Sequence, residues 1–261
     1  MEWRDQGIVL TTRKHGEGKA VVTLLTRDHG RHAGLVRGLK ARARGSGALE
    51  PGTRVSAVWK GRLADQLGSY QLEPGEALGA AHLDEALALA GLNAVTALVN
   101  KVLPEREPHV AVFNGLLALL EGLKHLEGGR DWGALLVRFE LGLLAELGFG
   151  LDFSECAATG QREDLVWVSP KSGRAVSRGA GAAYADRLLP LPGFLISGEV
   201  DTDLPAVLQG LKLTGFFLQK AVDQGHANAS THGSFQGATL PESRATYIRR
   251  LSAAKVMANG G

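Results

Sequence analysis

The segment TRVSAVWKG, residues 53–61, alternates apolar with polar side chains over most of its length. Val55, Ala57 and Trp59 fall on one face, and the polar residues between them fall on the other. This period of two is typical of a β-strand with one buried face, although Val58 breaks it. The segment is therefore predicted to be a strand whose Trp59 points into a core.

Four more short segments of strand-like composition surround it, separated by turns rich in glycine and charged residues. They are Gln6–Thr12, Lys19–Thr26, Gly30–Gly38 and Leu67–Pro74. Five short antiparallel strands in about 70 residues favour an OB-fold, a small barrel whose loops L12 (strands 1–2) and L45 (strands 4–5) bind oligonucleotides. We therefore predict an OB-fold nucleic-acid-binding domain at residues 1–78, with L12 at Arg13–Lys19 and L45 at Lys60–Gln66.

The periodicity changes near residue 80, where apolar residues begin to recur at spacings of three and four, as on a helix face. A helical domain is predicted at residues 79–261, which makes the fold class α+β. Asp131 and Asp203 are the expected N-caps of two of its helices. Its predicted helices after the first are Val110–Leu126, Trp132–Leu147, 203–223 and 241–257, with a polar, glycine-rich loop at Gly225–Thr239.

The formal net charge of +2 hides an uneven distribution. Residues 13–62 carry a local charge of +9, which indicates a polyanionic partner, and nucleic acid is the commonest one. The alternative is a basic surface that only aids solubility. The candidate DNA-binding residues are Arg13, Lys14, Lys19, Arg27, Arg31, Arg37, Lys40, Arg42, Arg44, Arg54, Lys60 and Arg62.

No catalytic or cofactor motif stands out. The segment Gly16–Lys19 resembles the end of a P-loop, but Arg13 replaces the first glycine and Ala20 replaces the magnesium-binding hydroxyl. His15, His29 and His32 are expected to face phosphate or solvent. We therefore expect no enzyme activity, no cofactor and no metal.

Composition and the N-terminal sequence bear on location. No apolar stretch approaches the ~18 residues of a membrane span, and the N-terminal residues lack the layout of a signal peptide. The chain is expected to stay in the cytoplasm.

Several motifs together make the sequence similar to RecO, a family of bacterial recombination mediators. The most specific is LLVRFELGLLAELGFGLDFSEC, residues 135–156. Others are Gly7–Leu10, Leu24–Thr26, the basic stretch Arg37–Arg44 with Leu49–Gly52 after it, and the segments 169–173 and 189–192. The resemblance spans most of the chain and implies an N-terminal OB-fold followed by a helical domain.

The resemblance also implies a non-catalytic function associated with the nucleoid. RecO proteins bind single- and double-stranded DNA, anneal complementary strands, and help RecR load RecA onto DNA coated with single-stranded DNA-binding protein. They also bind the acidic, Phe-ended tail of that protein, for which Arg138 is our candidate; Arg138 could equally form a structural ion pair. Whether RecF takes part is left open.

Many RecO proteins carry a zinc module of four cysteines just after the helix that ends near residue 147. Here Cys156 is the only cysteine, and Thr159 stands at the second position of the C-x-x-C motif. A thiolate zinc site is therefore excluded. We expect a small zinc-less β-rich insert at about residues 152–185, with Cys156 as a core residue and packing from Val166, Trp167 and Val168.

Two other classes of protein remain as alternatives. One is a different OB-fold nucleic-acid-binding protein, RNA-binding or translation-associated, which would not need the helical domain. The other is an enzyme with an unrecognised site. Strand annealing without nucleotide, together with capture by single-stranded DNA-binding protein, would distinguish RecO from both.

Overall fold

The structure is a computed structural model that describes residues 1–37, 49–63, 66–78, 86–123, 129–198, 202–228 and 239–258. The chain divides into two compact units. Among the described residues, the first unit holds residues 1–123 and 241–247, and the second holds 129–228, 239–240 and 248–258. The boundary predicted between residues 78 and 79 stays a prediction.

Five strands form a closed barrel in the first unit, in the order β1-β2-β3-β5-β4, and β1 also pairs with β4. All pairings are antiparallel except that of β3 with β5. This is the topology of an OB-fold, so the predicted fold class is confirmed. The strands are β1 (Glu2–Lys14), β2 (Lys19–Thr26), β3 (Gly30–Arg37), β4 (Thr53–Lys60) and β5 (Ser69–Ala77).

The alternation of apolar and polar residues in the sequence of β4 matches the alternation of buried and more exposed side chains in the structure. Val55, Ala57 and Trp59 are 0 to 1% exposed, whereas Arg54 and Lys60 are exposed. Trp59 therefore faces the core, as predicted. It packs there with the buried residues Val9, Ala20, Val22, Leu24 and Tyr70 of the neighbouring strands.

Two helices belong to the same unit as the barrel, α1 (Ala86–Val102) and α2 (Val110–Gly122). Helix α1 approaches the barrel at Gly52, whose φ is +83° and whose added Cβ would lie 2.6 Å from Cδ1 of Leu92. The segment between the helices runs along β3, where Arg106 N–H donates to the carbonyl of Arg31 over 2.9 Å. This segment closes over one side of the barrel.

The second unit combines helices with a small sheet. Its helices are α3 (Gly129–Glu146), α4 (Arg178–Gly181), α5 (Phe194–Ser197), α6 (Leu204–Asn228) and residues 248–258 of α7 (Glu242–Ala258), with a 3-10 helix at Ala182–Arg187. The sheet has the order β7-β6-β8, formed by β6 (Leu165–Val168), β7 (Ala175–Ser177) and β8 (Leu189–Pro190). Strands β6 and β7 fall within the insert predicted at about residues 152–185, and β8 follows it.

The helix boundaries differ from those predicted, and α2 ends at Gly122 rather than at Leu126. Asp203 does cap α6, since its carboxylate accepts the Ala206 N–H over 2.7 Å. Asp131 does not begin α3, because the helix starts at Gly129, two residues earlier. Helix α6 runs to Asn228, so the first four residues of the loop predicted at Gly225–Thr239 are helical, and residues 229–238 lie outside the described part of the chain.

No helix within the described ranges is long and apolar enough to cross a membrane.

Candidate nucleic-acid interface

The L12 turn brings basic side chains to one end of the barrel. Lys14 ends β1 and Lys19 begins β2, and the turn between them is closed by a hydrogen bond from His15 N–H to the carbonyl of Lys19 over 3.0 Å. Lys19 lies directly opposite Arg37 in the pairing of β2 with β3. All three basic side chains are exposed.

The L45 segment begins beside the first residue of the chain, where Gly61 N–H donates to the carbonyl of Met1 over 3.1 Å, and it leads into β5, which contacts β3 near the end of that strand. Leu35 N–H donates to the carbonyl of Gly68 over 3.1 Å, and Leu35 is paired with Ser69. Arg62 of this segment is exposed. We call Lys14, Lys19, Arg37 and Arg62 the L12–L45 cluster.

The remaining predicted DNA-binding residues are spread more widely. Arg13 is exposed next to Lys14 at the start of the predicted L12 segment, whereas Arg27 and Arg54 are exposed elsewhere on the barrel, with Arg27 in the turn between β2 and β3. Lys60 is exposed but forms an ion pair with Glu2 over 3.1 Å. Lys40, Arg42 and Arg44 lie outside the described residues.

Arg31 differs from the other members of the predicted set because it is only 6% exposed. Its Nε donates to the carbonyl of Leu103 over 2.8 Å, and its Nη1 lies 3.3 Å from Oε1 of Glu105. Burial lowers the pKa of this guanidinium and Glu105 opposes that shift. Arg31 fastens the segment after α1 to the barrel, so the case for DNA contact rests on the exposed residues.

Aromatic side chains of the barrel are mostly enclosed. Trp59 and Tyr70 are 1% and 4% exposed, and half-buried Trp3 stacks on His29 with ring centroids 4.1 Å apart. Because base stacking needs an accessible ring face, the described barrel offers little of it. The sequence analysis did not single out Leu63 and Leu67, two apolar side chains in or beside L45 that are 50% and 41% exposed. Their position in or beside a predicted nucleic-acid-binding loop was the one signal that could have identified them as candidate site residues.

One of the three histidines expected to face phosphate or solvent is buried. His15 is exposed and His29 is half-buried, but His32 is 3% exposed inside the barrel. Its Nδ1 lies 3.0 Å from the carbonyl of Ala33 and 3.1 Å from the hydroxyl of Tyr70. The expectation was wrong for His32, which shares one face of β3 with Gly34 and Val36 and points inward.

Arg138, the candidate for binding the acidic tail, lies on α3 in the second unit. Its Nη2 donates to the carbonyl of Phe194 over 2.9 Å, and its guanidinium lies 5.9 Å from the centroid of the Phe194 ring. The side chain is half-buried. These contacts hold it against α5, and its role toward a partner stays a prediction.

The residues after α3 do not fit a zinc ion. Cys156 is 1% exposed, and its Sγ accepts the Ser177 N–H over 3.3 Å. Burial raises the pKa of this thiol, but hydrogen bonds from Ser177, Thr159 and the Ala158 backbone outweigh it and lower the pKa to about 6. No group of three metal-ligating side chains occurs within the described part of the chain.

The purified protein should therefore contain no stoichiometric zinc and should keep its melting temperature in excess chelator, because one thiolate cannot form a four-cysteine site. Elemental analysis and thermal unfolding with and without chelator test this. A finding of about one zinc per chain, removed together with the folded structure, would contradict it.

Comparison with known proteins agrees with these features. The family described as "Recombination protein O N terminal" matches residues 1–75, and "Recombination protein O C terminal" matches residues 83–228. A DNA repair protein RecO of Rhodospirillum rubrum is 48% identical over 256 residues, covering 96% of both chains. Those of Rhodospirillum centenum and Cereibacter sphaeroides (strain ATCC 17025) are 48% and 44% identical, covering 96% and 97% of this chain and 94% and 99% of theirs.

The matched region includes the helical part of the chain, which an unrelated OB-fold RNA-binding protein would not need. The barrel, the helical unit and the two matched families together show that the chain belongs to the RecO family of DNA repair and recombination proteins.

Proposed function

We propose that this chain is a recombination mediator without catalytic activity. It binds single- and double-stranded DNA, anneals complementary strands and, with RecR, helps load RecA onto DNA coated with single-stranded DNA-binding protein. Membership of the RecO family gives it a role in DNA repair and recombination. The finer steps rest on the resemblance and on the barrel surface.

The observation that carries the proposal is the L12–L45 cluster on an OB-fold. The pairing of β2 with β3 holds Lys19 opposite Arg37 beside the L12 turn, and Arg62 is exposed in L45. Two phosphate backbones repel each other, and a surface with excess cations lowers that repulsion without hydrolysing nucleotide. The same surface accepts single and double strands, because it contacts phosphate rather than base edges.

A strand-annealing assay with two complementary oligonucleotides and no nucleotide tests the proposal. We expect the protein to accelerate annealing both of bare strands and of strands coated with single-stranded DNA-binding protein, and to increase RecA loading only when RecR is present. Failure to anneal bare strands at low salt would overturn the proposal, as would a preference for RNA over DNA.

The contact with single-stranded DNA-binding protein gives a separate prediction. Arg138→Ala should weaken capture by an acidic, Phe-ended peptide roughly tenfold, the loss expected for one interfacial charged hydrogen bond, while DNA affinity is unchanged. Fluorescence anisotropy with labelled peptide and labelled oligonucleotide measures both. Arg187→Ala, which removes an exposed arginine of the same unit, is the matched control.

Arg138 also supports the fold through Phe194, so the stability of the variant must be measured. If Arg138→Ala unfolds, or if it binds peptide as the parent does, Arg138 is a structural residue and the tail binds elsewhere. Arg138→Lys keeps the charge and should retain most of the peptide affinity if charge is what the peptide requires.

A further inference from the structure

A cavity of about 470 Å³ lies in the first unit, lined by residues of β1, α1 and the first turn of α7. The lining residues within the described ranges all belong to this unit. Its volume falls within the range of about 300 to 1,000 Å³ that is common for small-molecule sites. Of the lining residues that the structure describes, Arg13 and Arg31 belong to the predicted DNA-binding set.

The charge of the cavity favours an anion. Arg13, Arg31 and Lys101 line it, and Glu105 is the single acidic residue among the lining residues in the described chain. Glu105 lies 3.3 Å from Arg31 and offsets that charge. Three cationic side chains against one carboxylate give the described lining residues a net positive formal charge.

Polar atoms in the wall can recognise more than a charge. The Oδ1 atom of Asn100 and the Oγ atom of Ser243 are buried and have no hydrogen-bond partner within the described residues. A buried polar atom without a partner in a folded protein calls for one, and a ligand is one source. Asn93 adds a second amide to the lining, and amides both donate and accept, as the edge of a nucleobase requires.

The cavity also has apolar surfaces that suit a flat ring. Pro51 and Pro241 line it with half-buried rings, and Leu10 adds an aliphatic side chain. A phosphate ion alone would use the cations but would leave these surfaces and most of the volume unfilled. The combination of cations, amides and apolar rings matches a ligand with a phosphate at one end and a base at the other.

We infer that this cavity is a binding site for a nucleotide, with the phosphate near Arg13 and Lys101 and the base among the prolines and asparagines. The nucleotide comes either free from solution or as one unit of a bound DNA strand. Only the second source rests on the proposed function.

The test uses 5′-dAMP as the probe, followed by saturation-transfer NMR and calorimetry on the full chain. We expect a Kd on the order of 1 mM, with deoxyadenosine and inorganic phosphate each binding more weakly. Ala97→Phe, which places a ring in the cavity from α1, should weaken dAMP binding at least about tenfold. Ala111→Phe, the same change on an exposed position of α2, should leave it unchanged.

Lys101→Gln is the second variant and should weaken dAMP binding about fivefold if Ala97→Phe fails to fold. Equal dAMP binding by the parent and by either folded cavity variant would overturn the inference. It would also be overturned if inorganic phosphate bound as tightly as dAMP, or if an acidic peptide bound to the cavity and dAMP did not.

A parallel titration with a single-stranded oligonucleotide distinguishes the two sources. If Ala97→Phe weakens binding of both dAMP and the oligonucleotide, the cavity holds one unit of the strand; if it weakens binding of dAMP alone, the ligand is a free nucleotide. If the parent protein does not bind the oligonucleotide, the proposed function is overturned. The dAMP titration would still show whether the cavity binds a nucleotide.

Discussion

Raising the salt concentration from 50 to 200 mM is expected to weaken binding of single-stranded DNA roughly 300-fold. If about six phosphates are neutralised, the logarithm of the affinity should fall with the logarithm of salt concentration at a slope near −4. Charge should dominate because the L12–L45 cluster is exposed while Trp59 and Tyr70 are buried. Base identity should matter little, since stacking and base contacts are few.

Replacing Lys14, Lys19 and Arg37 together by alanine should flatten this slope by about two units, because each phosphate contact on a single strand contributes about 0.7. Fluorescence anisotropy across a salt series measures it. The same change at Arg162, Lys171 and Arg187, exposed residues of the second unit, is the control for net charge. The sequence predicts a similar flattening for Lys40, Arg42 and Arg44, which lie outside the described residues.

Two results would count against this account of the basic residues. A slope near zero in the parent protein would mean that stacking or base readout holds the DNA. Equal slopes for the barrel variant and its control would mean that overall charge, rather than the L12–L45 cluster, attracts the strand.

Strand β4 was predictable because its sequence carries its own pattern. Val55, Ala57 and Trp59 are spaced by two in the sequence and are all buried in the structure. The period of a strand depends only on its own backbone, so it can be recognised without knowing the partner strand. The predicted strand Lys19–Thr26 has the bounds of β2 for the same reason.

Features that depend on distant residues were not predictable. Arg31 is buried because Leu103 and Glu105, more than 70 positions away, supply its hydrogen bonds. The first strand begins at Glu2, in a polar stretch without a strand pattern, because that stretch pairs with β4. Nothing in the local sequence records these partners.

The end of α6 shows that a clear local sequence signal can also mislead. Gly225 and the polar residues after it indicate a loop, yet the helix continues to Asn228. Glycine costs a helix only about 1 kcal/mol, which a helix already formed by three turns or more can bear. Intrinsic propensity therefore gave the wrong structure for Gly225–Asn228.

Lowering the pH from about 6.5 to about 4 is expected to destabilise the folded protein by up to about 3 kcal/mol through His32 alone. The pKa of His32 is lowered to about 4, mainly by burial and next by the positive charge of Arg106. The hydrogen bond to the carbonyl of Ala33 raises the pKa by less than Arg106 lowers it. In the unfolded chain the imidazole has a pKa near 6.5. Between these values the unfolded chain binds a proton that the folded protein does not, so stability is complete above pH 6.5 and is lost as the pH falls toward 4.

Urea unfolding at pH 7.5 and at pH 4.5 measures this loss, with His32→Gln as the test variant. The variant should be less stable at pH 7.5, because the hydroxyl of Tyr70 and the carbonyl of Ala33 lose their contact with the imidazole. Its free energy of unfolding should nevertheless change less than that of the parent between the two pH values, since it lacks the group whose protonation differs. His15→Gln, which removes an exposed imidazole from L12, should keep the parent's acid loss. If His32→Gln loses as much stability in acid as the parent, other groups cause the loss and the buried imidazole is not its source.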